Sequence, residues 1–161
     1  MIVQNILAII VSLIGAIYDL KSRRIPNWLT LGTFGVILLF SIFSFKIEYV
    51  VNCILGFLAG LLLLFIPYVL GGMGAGDVKL LAALGSLVGY KDVVLIFFYS
   101  AICGLFLGLI WLLLTPGHLS FLLKTGQILP VVDKKQKVPY GIAIFMGTIL
   151  YIILKCNLHI F

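Results

Sequence analysis

The sequence predicts an all-α, polytopic membrane bundle of six transmembrane helices with the N-terminus outside. Three observations predict this fold class: the composition, the lengths of the apolar runs and the distribution of basic residues. Of the 161 residues, 63% are hydrophobic and 10% are charged, whereas soluble globular domains are about 45–50% apolar and about 25% charged. Several runs approach the roughly 20 residues that a helix needs to cross a bilayer. We expect residues 1–161 to form a single integral-membrane domain.

Six apolar runs define the predicted spans. They cover residues 2–18, 28–45, 49–70, 78–89, 93–115 and 138–154. Pro26 and Asn27 end the first helix and start the second, because proline cannot continue a helix but suits its first turn. The fourth run is short, and at about 1.5 Å per residue it covers only part of a roughly 30 Å core. Either this helix continues past Lys91, or the glycines before it enter the membrane as irregular backbone, which we favour.

The basic residues predict the orientation of the bundle. With the N-terminus outside, eight of them fall on the cytoplasmic side: Lys21, Arg23, Arg24, Lys79, Lys124, Lys134, Lys135 and Lys137. The opposite side holds Lys46, Lys91 and Lys155. This asymmetry is the one expected when basic loops stay inside. The net charge of +6 is explained by contact with anionic membrane lipids, so we predict lipids and no nucleic acid as partners.

The cysteines and histidines give no pattern for a metal or cofactor. Cys53, Cys103 and Cys156 each stand alone in an apolar run, without a CxxC pair, so we expect small buried hydrophobic side chains. His118 and His159 are also isolated. We predict no metal site and no cofactor.

A glycine-rich segment, Gly71 to Gly85, reads GGMGAGDVKLLAALG and carries Asp77. An aspartate at the centre of a membrane helix costs about 2.5–3.5 kcal/mol, so it indicates a functional site. In the predicted orientation Asp77 begins the fourth span at the cytoplasmic side, where Asp19 ends the first. Two such carboxylates can share a proton, one taking a proton from water and the other polarising a carbonyl. Which aspartate has which role is left open.

These residues resemble a known family. GAGD, at Gly74 to Asp77, resembles the GxGD signature of type IV prepilin peptidases, which are polytopic membrane aspartyl proteases. DLKSRRIPNWLT, at Asp19 to Thr30, is similar to the other half of their pattern. The resemblance covers most of the chain and implies that Asp19 and Asp77 are the catalytic pair. The supporting motif residues are Gly74, Gly76, Lys79, Pro26 and Asn27.

The resemblance also implies a function. An enzyme of this kind removes the short basic leader from type IV prepilin-like precursors at the cytoplasmic face of a prokaryotic cytoplasmic membrane. Longer members carry a zinc-binding segment with paired cysteines that is associated with N-methylation, and because this sequence has no CxxC we do not expect methyltransferase activity. VPYGIAI, residues 138–144, is similar to the family's Pro-x-Gly-Pro segment but has Ile142 for the second proline. We expect only a packing role for Pro139 and Gly141.

Several residues have a structural alternative. Asp77 suits a helix N-cap, and Asp19 suits an interfacial pair with Arg23 or Arg24. Lys79 either contacts substrate or the aspartates, or extends to the interface from a helix start, which we favour. The remaining acids, Glu48, Asp92 and Asp133, each have a nearby lysine and are expected at solvated edges. The glycines Gly56, Gly60, Gly104 and Gly108 are expected at helix contacts.

Two other functions remain open at this stage. A small transporter or ion-conducting protein also uses intramembrane acids beside broken helices. A non-catalytic scaffold subunit of a secretion system is the third possibility. The sequence does not identify the precursor, the bond that is cleaved or the oligomeric state.

Overall fold

The computed structural model describes residues 2–114 and 140–158, with side chains for residues 3–110 and 140–156. This part of the chain contains helices and no strand. The helices are α1 (Ile2–Ser22), α2 (Asn27–Phe43), α3 (Ile47–Val69), α4 (Ala75–Val88), α5 (Tyr90–Leu114) and α6 (Tyr140–Leu158). Predictions on His118, Lys124, Asp133, Lys134, Lys135, Lys137, Pro139 and His159 concern residues outside the described ranges.

The helices confirm the predicted class, an all-α membrane bundle. Helices α1, α3 and α5 contain apolar segments of 20, 23 and 21 residues that are long enough to cross a membrane, while α2 and α6 provide shorter apolar helices. Large apolar side chains cover the outer surface, including Leu62, which is 63% exposed, and Leu105, which is 68% exposed. Such a surface is suited to lipid rather than water. The number of membrane crossings and the position of the N-terminus stay predictions.

Helix α4 lies at the centre of the bundle. Every residue from Leu80 to Leu87 is buried, and α3 packs closely along the helix. A Cβ placed on Gly60 would lie 2.5 Å from the carbonyl oxygen of Leu81, and one on Gly56 would collide with the carbonyl oxygen of Gly85. The two backbones are therefore in direct contact, which confirms the predicted packing role of Gly56 and Gly60.

Helix α4 ends before Lys91, so the alternative in which it continues past that residue is wrong. Gly89 has a φ of +92° and its N–H bonds to the carbonyl of Gly85, after which α5 begins at Tyr90. A positive φ of this kind is easily adopted by glycine and breaks the helical path. The 14 residues of α4 span about 21 Å. Entry of the preceding glycines into the membrane stays a prediction.

The helices pack in alternating directions and give the bundle two ends. We call the end that holds Asp19, in the last turn of α1, and Asp77, in the first turn of α4, the carboxylate end. At the opposite end, Lys155 Nζ donates to Asp92 Oδ2 at 2.6 Å and to the Tyr151 hydroxyl at 2.6 Å. Asp92 is partly exposed, with 28% of its side chain accessible, and its lysine partner is the distant Lys155, because antiparallel packing of α5 and α6 brings the two together.

Two smaller expectations are also corrected in part. Cys53 is buried as expected, but Cys103 is only half-buried and Cys156 is exposed. Gly104 is in a helix contact, whereas no atom of the described residues lies within 4 Å of a Cβ placed on Gly108.

Candidate active site

Helices α1 and α4 run antiparallel past each other. A Cβ placed on Gly15 of α1 would lie 2.7 Å from Cδ2 of Leu80 in α4. Ile25, just beyond α1, lies over the start of α4, where a Cβ on Gly76 would be 3.1 Å from the Ile25 Cβ. The contact moves toward the C-terminus of α1 as it moves toward the N-terminus of α4, which shows that the two helices are antiparallel. Each of the two contacts contains a glycine, which lets the backbones approach closely.

This packing sets the depth and direction of both aspartates. Asp19 follows Gly15 by four residues, so it lies on the same face of α1 and about 6 Å nearer the carboxylate end. Asp77 precedes Leu80 by three residues, so it lies on the same face of α4 and about 4.5 Å nearer that end. The two carboxylates are on facing helix surfaces at matching depth. Each residue is 7% exposed.

Backbone N–H groups hold both carboxylates. Asp19 Oδ2 accepts a hydrogen bond of 2.8 Å from the N–H of Gly141 at the start of α6. Asp77 Oδ2 accepts one of 3.2 Å from the N–H of Gly74, which occupies the N-cap position of α4. Asp77 is thus the third residue of the helix and not its N-cap, although it makes the return bond of a capping box. Arg23 is close enough for its charge to act on Asp19.

The remaining motif residues join α2 to α4 at the same end. Pro26 occupies the N-cap position of α2 with extended backbone, φ −69° and ψ 140°, which is compatible with its ring. Asn27 is the first residue of α2, and its Oδ1 accepts a 3.0 Å hydrogen bond from Lys79 Nζ. Lys79 therefore links α4 to α2. It also lies near the end of the bundle, where the predicted extension of its side chain to the membrane interface remains a prediction.

Sequence reasoning underestimated the first turn of α6. Gly141 was expected only to pack, yet it donates to Asp19 across 122 residues of sequence. A Cβ placed on Gly141 would lie 2.9 Å from both Cβ and Oδ2 of Asp19. The Tyr-Gly pair in VPYGIAI was the available signal, but nothing in it identifies Asp19 as the partner.

A cavity of about 920 Å³ opens at the opposite end of the bundle and contains neither Asp19 nor Asp77. Its lining includes the polar side chains of Gln4, Ser41, Asn52 and Asp92. Within the described ranges, no group of three His, Cys, Asp or Glu residues is placed to hold a metal ion. At the carboxylate end, Asp19 and Asp77 each accept a hydrogen bond from a backbone N–H group.

Two facing carboxylates of this kind suit general acid–base chemistry on a carbonyl substrate. Close carboxylates share a proton, so one can accept a proton while the other donates one. Their partial burial strengthens electrostatic interactions with a reacting group.

The comparisons with known proteins bear on this site. Residues 6–109 match the model of the type IV leader peptidase family. A preflagellin peptidase of Methanocaldococcus jannaschii is 41% identical over 80 residues, which cover 47% of this chain and 34% of that protein. A prepilin leader peptidase/N-methyltransferase of Aeromonas hydrophila is 32% identical over 120 residues, which cover 70% of this chain and 41% of that protein.

The matches cover less than half of each relative. The aligned part of the chain spans 34–41% of the length of these curated relatives. No solved structure matches the chain. The matched range, residues 6–109, contains both aspartates, all of α4 and all but the first four residues of α1.

Proposed function

Because the chain belongs to the type IV leader peptidase family, we propose that it is a membrane-embedded aspartyl endopeptidase that removes the short basic leader from type IV prepilin-like precursors. One observation carries the proposal: two buried aspartates, Asp19 and Asp77, lie on facing surfaces of α1 and α4 at matching depth. The names of the relatives, a preflagellin peptidase and a prepilin leader peptidase, support the substrate class. The alternatives of a transporter and a scaffold subunit gain no support from the comparisons.

The proposed reaction is hydrolysis by an activated water. The ionised carboxylate takes a proton from the water, whose oxygen attacks the carbonyl carbon of the scissile peptide bond. The protonated carboxyl gives its proton to the carbonyl oxygen, and a tetrahedral intermediate forms. The C–N bond then breaks as the amine nitrogen takes the proton that the first carboxylate accepted from water, while one hydroxyl of the intermediate returns its proton to the second carboxylate. The products are a carboxylic acid and a new N-terminal amine, and the pair again holds one proton. The pair titrates as a unit, so the proposal assigns no single base.

The site is proposed to face the cytoplasm from a prokaryotic cytoplasmic membrane. The basic residues Lys21, Arg23, Arg24 and Lys79 cluster at the carboxylate end, which favours that end on the inside. A precursor whose hydrophobic helix is already in the bilayer would then present the end of its leader at the depth of the aspartates. The proposal covers peptide-bond cleavage alone and does not extend to N-methylation.

A cleavage assay tests the function. The purified protein, in nanodiscs, is incubated with a tagged prepilin precursor that has a short basic leader before its hydrophobic helix, and the products are identified by mass spectrometry. We expect one cut between leader and helix. An intact precursor after long incubation with folded protein, for several precursors of this type, would contradict the proposal.

Cysteine labelling tests the orientation. In a cysteine-free background, Ser22→Cys lies at the carboxylate end and Ser44→Cys at the opposite end, both at exposed positions. We expect a membrane-impermeant maleimide to label Ser44→Cys on intact cells and Ser22→Cys only after the membrane is opened. The reverse pattern would place the carboxylate end outside.

A further inference from the structure

The first turn of α6 supplies a contact that neither aspartate-bearing helix can make for itself. The N–H of Gly141 donates to Asp19 Oδ2 at 2.8 Å, and this bond is buried. The first N–H groups of a helix have no partner within the helix, so they are free to bind a carboxylate. Asp19 is thereby held from α6, while its backbone belongs to α1.

Only glycine fits at this position. A Cβ on residue 141 would lie 2.9 Å from the Asp19 Cβ and Oδ2 and 3.2 Å from its Cγ, all shorter than an ordinary van der Waals contact. These atoms belong to a short side chain on a packed helix, so they cannot move aside without moving the carboxylate. A larger residue would therefore displace Asp19 or push α6 away from it.

Helix α6 is held against α5 at three levels along its length. Near its start, the Tyr140 ring fills the space above Gly104, where a Cβ would lie 2.7 Å from Tyr140 Cε2. In the middle, Gly147 packs directly on Ser100. Near its end lies the ion pair between Lys155 and Asp92. These contacts fix the position of α6 along the axis of α5. They therefore also fix how far along the bundle the Gly141 N–H lies, and so whether it meets Asp19 of α1.

We propose that Gly141 is a positioning residue, which orients the Asp19 carboxylate toward Asp77 through its backbone N–H, and that the contact of Tyr140 with Gly104 sets its register. The inference rests on the proposed function, since it concerns the geometry of the same reaction. It assigns Gly141 no contact with substrate. Its effect is expected on the chemical step, because a displacement of about 1 Å in a catalytic group can cost about 100-fold in rate.

The main test is Gly141→Ala, compared with Gly108→Ala, where no atom of the described residues lies within 4 Å of the added Cβ. Single-turnover and steady-state cleavage of the tagged prepilin are measured in nanodiscs. We expect kcat per folded enzyme to fall about 100-fold for Gly141→Ala, with KM within about twofold of wild type; the folded fraction is determined by thermal unfolding. Gly108→Ala should match wild type. A Gly141→Ala enzyme that cleaves within twofold of Gly108→Ala would overturn the inference.

A second pair of variants keeps the inference testable if Gly141→Ala does not fold. Gly104→Ala crowds the Tyr140 ring without touching Asp19, so we expect kcat to fall about 10-fold through a shift of α6. Combining it with Tyr140→Leu removes the ring atoms in the contact, and we expect kcat to recover relative to Gly104→Ala alone. Full activity of Gly104→Ala, or no recovery in the double variant, would contradict the role of the contact in setting the register.

The failure of this inference is separable from failure of the proposed function. If wild type cleaves the precursor and Asp19→Asn does not, the function stands whatever the result for Gly141→Ala. If wild type does not cleave, the proposed function fails, and the positioning role of Gly141, which depends on that function, fails with it. A higher KM for Gly141→Ala with an unchanged kcat would contradict the positioning role, because it would indicate that Gly141 contacts the substrate.

Discussion

Replacement of either aspartate by asparagine is expected to abolish cleavage of the precursor. Asparagine keeps the size of the side chain, but its amide can neither take a proton from water nor pass one to the carbonyl oxygen. We expect kcat to fall by about 10³-fold for Asp19→Asn and for Asp77→Asn, within the range attributed to a general acid or base. The measurement is single-turnover cleavage of the tagged prepilin, with the folded fraction of each variant determined by thermal unfolding.

The double variant and a distant acid provide the controls. Because the two carboxylates act as a unit, Asp19→Asn with Asp77→Asn should lose little more than either single change. Glu48→Gln alters an exposed acid in the first turn of α3, at the opposite end of the bundle, and should cleave at the wild-type rate. Wild-type cleavage by either single aspartate variant would show that its carboxylate is not part of the chemistry.

The largest effect on stability is expected from Gly56→Leu. The backbones of α3 and α4 touch at this position, since even a Cβ on Gly56 would collide with the carbonyl oxygen of Gly85. A leucine there must force the helices apart along the most buried part of the core. Overpacking typically costs about 1–3 kcal/mol, and we expect a loss of about 3 kcal/mol because the obstructing atoms are backbone.

The matched control is Gly35→Leu in α2, where none of the residues that the structure describes has an atom within 4 Å of an added Cβ. Leucine also favours helix more than glycine does, so this variant should unfold at or above the wild-type temperature. The measurement is thermal unfolding of the purified proteins in the same detergent. Equal unfolding temperatures for the two leucine variants would contradict the close contact between α3 and α4.

The helices could be predicted from the sequence because their apolar runs are long and proline or glycine lies between them. Their ends were less predictable. Helix α1 continues through Asp19 to Ser22. The Asp19 carboxylate accepts its hydrogen bond from α6 and not from the backbone of α1, so it does not terminate α1. Helix α4 begins before Asp77 and not after it, because Gly74 takes the N-cap position. These boundaries depend on tertiary partners that no local pattern records.

The site was predictable to the level of its two aspartates. A carboxylate in an apolar run is rare enough to be conspicuous, and span counting placed Asp19 and Asp77 at one end. The partners of these side chains were not predictable, because they come from distant segments. Gly141 reaches Asp19 from α6, and Asp92 pairs with Lys155. Charge spacing alone had suggested a nearer lysine for Asp92.

The central feature of the proposed active site is that Asp19 and Asp77 face each other across α1 and α4. Cross-linking tests this directly in a protein whose native cysteines, Cys53, Cys103 and Cys156, are replaced by alanine. Asp19→Cys with Asp77→Cys should be joined by a bifunctional thiol reagent that spans about 8 Å, the spacing of packed helices. Asp19→Cys with Asp92→Cys, at opposite ends of the bundle, should not. If the first pair is not joined while both cysteines react singly, the proposed active site does not exist as described.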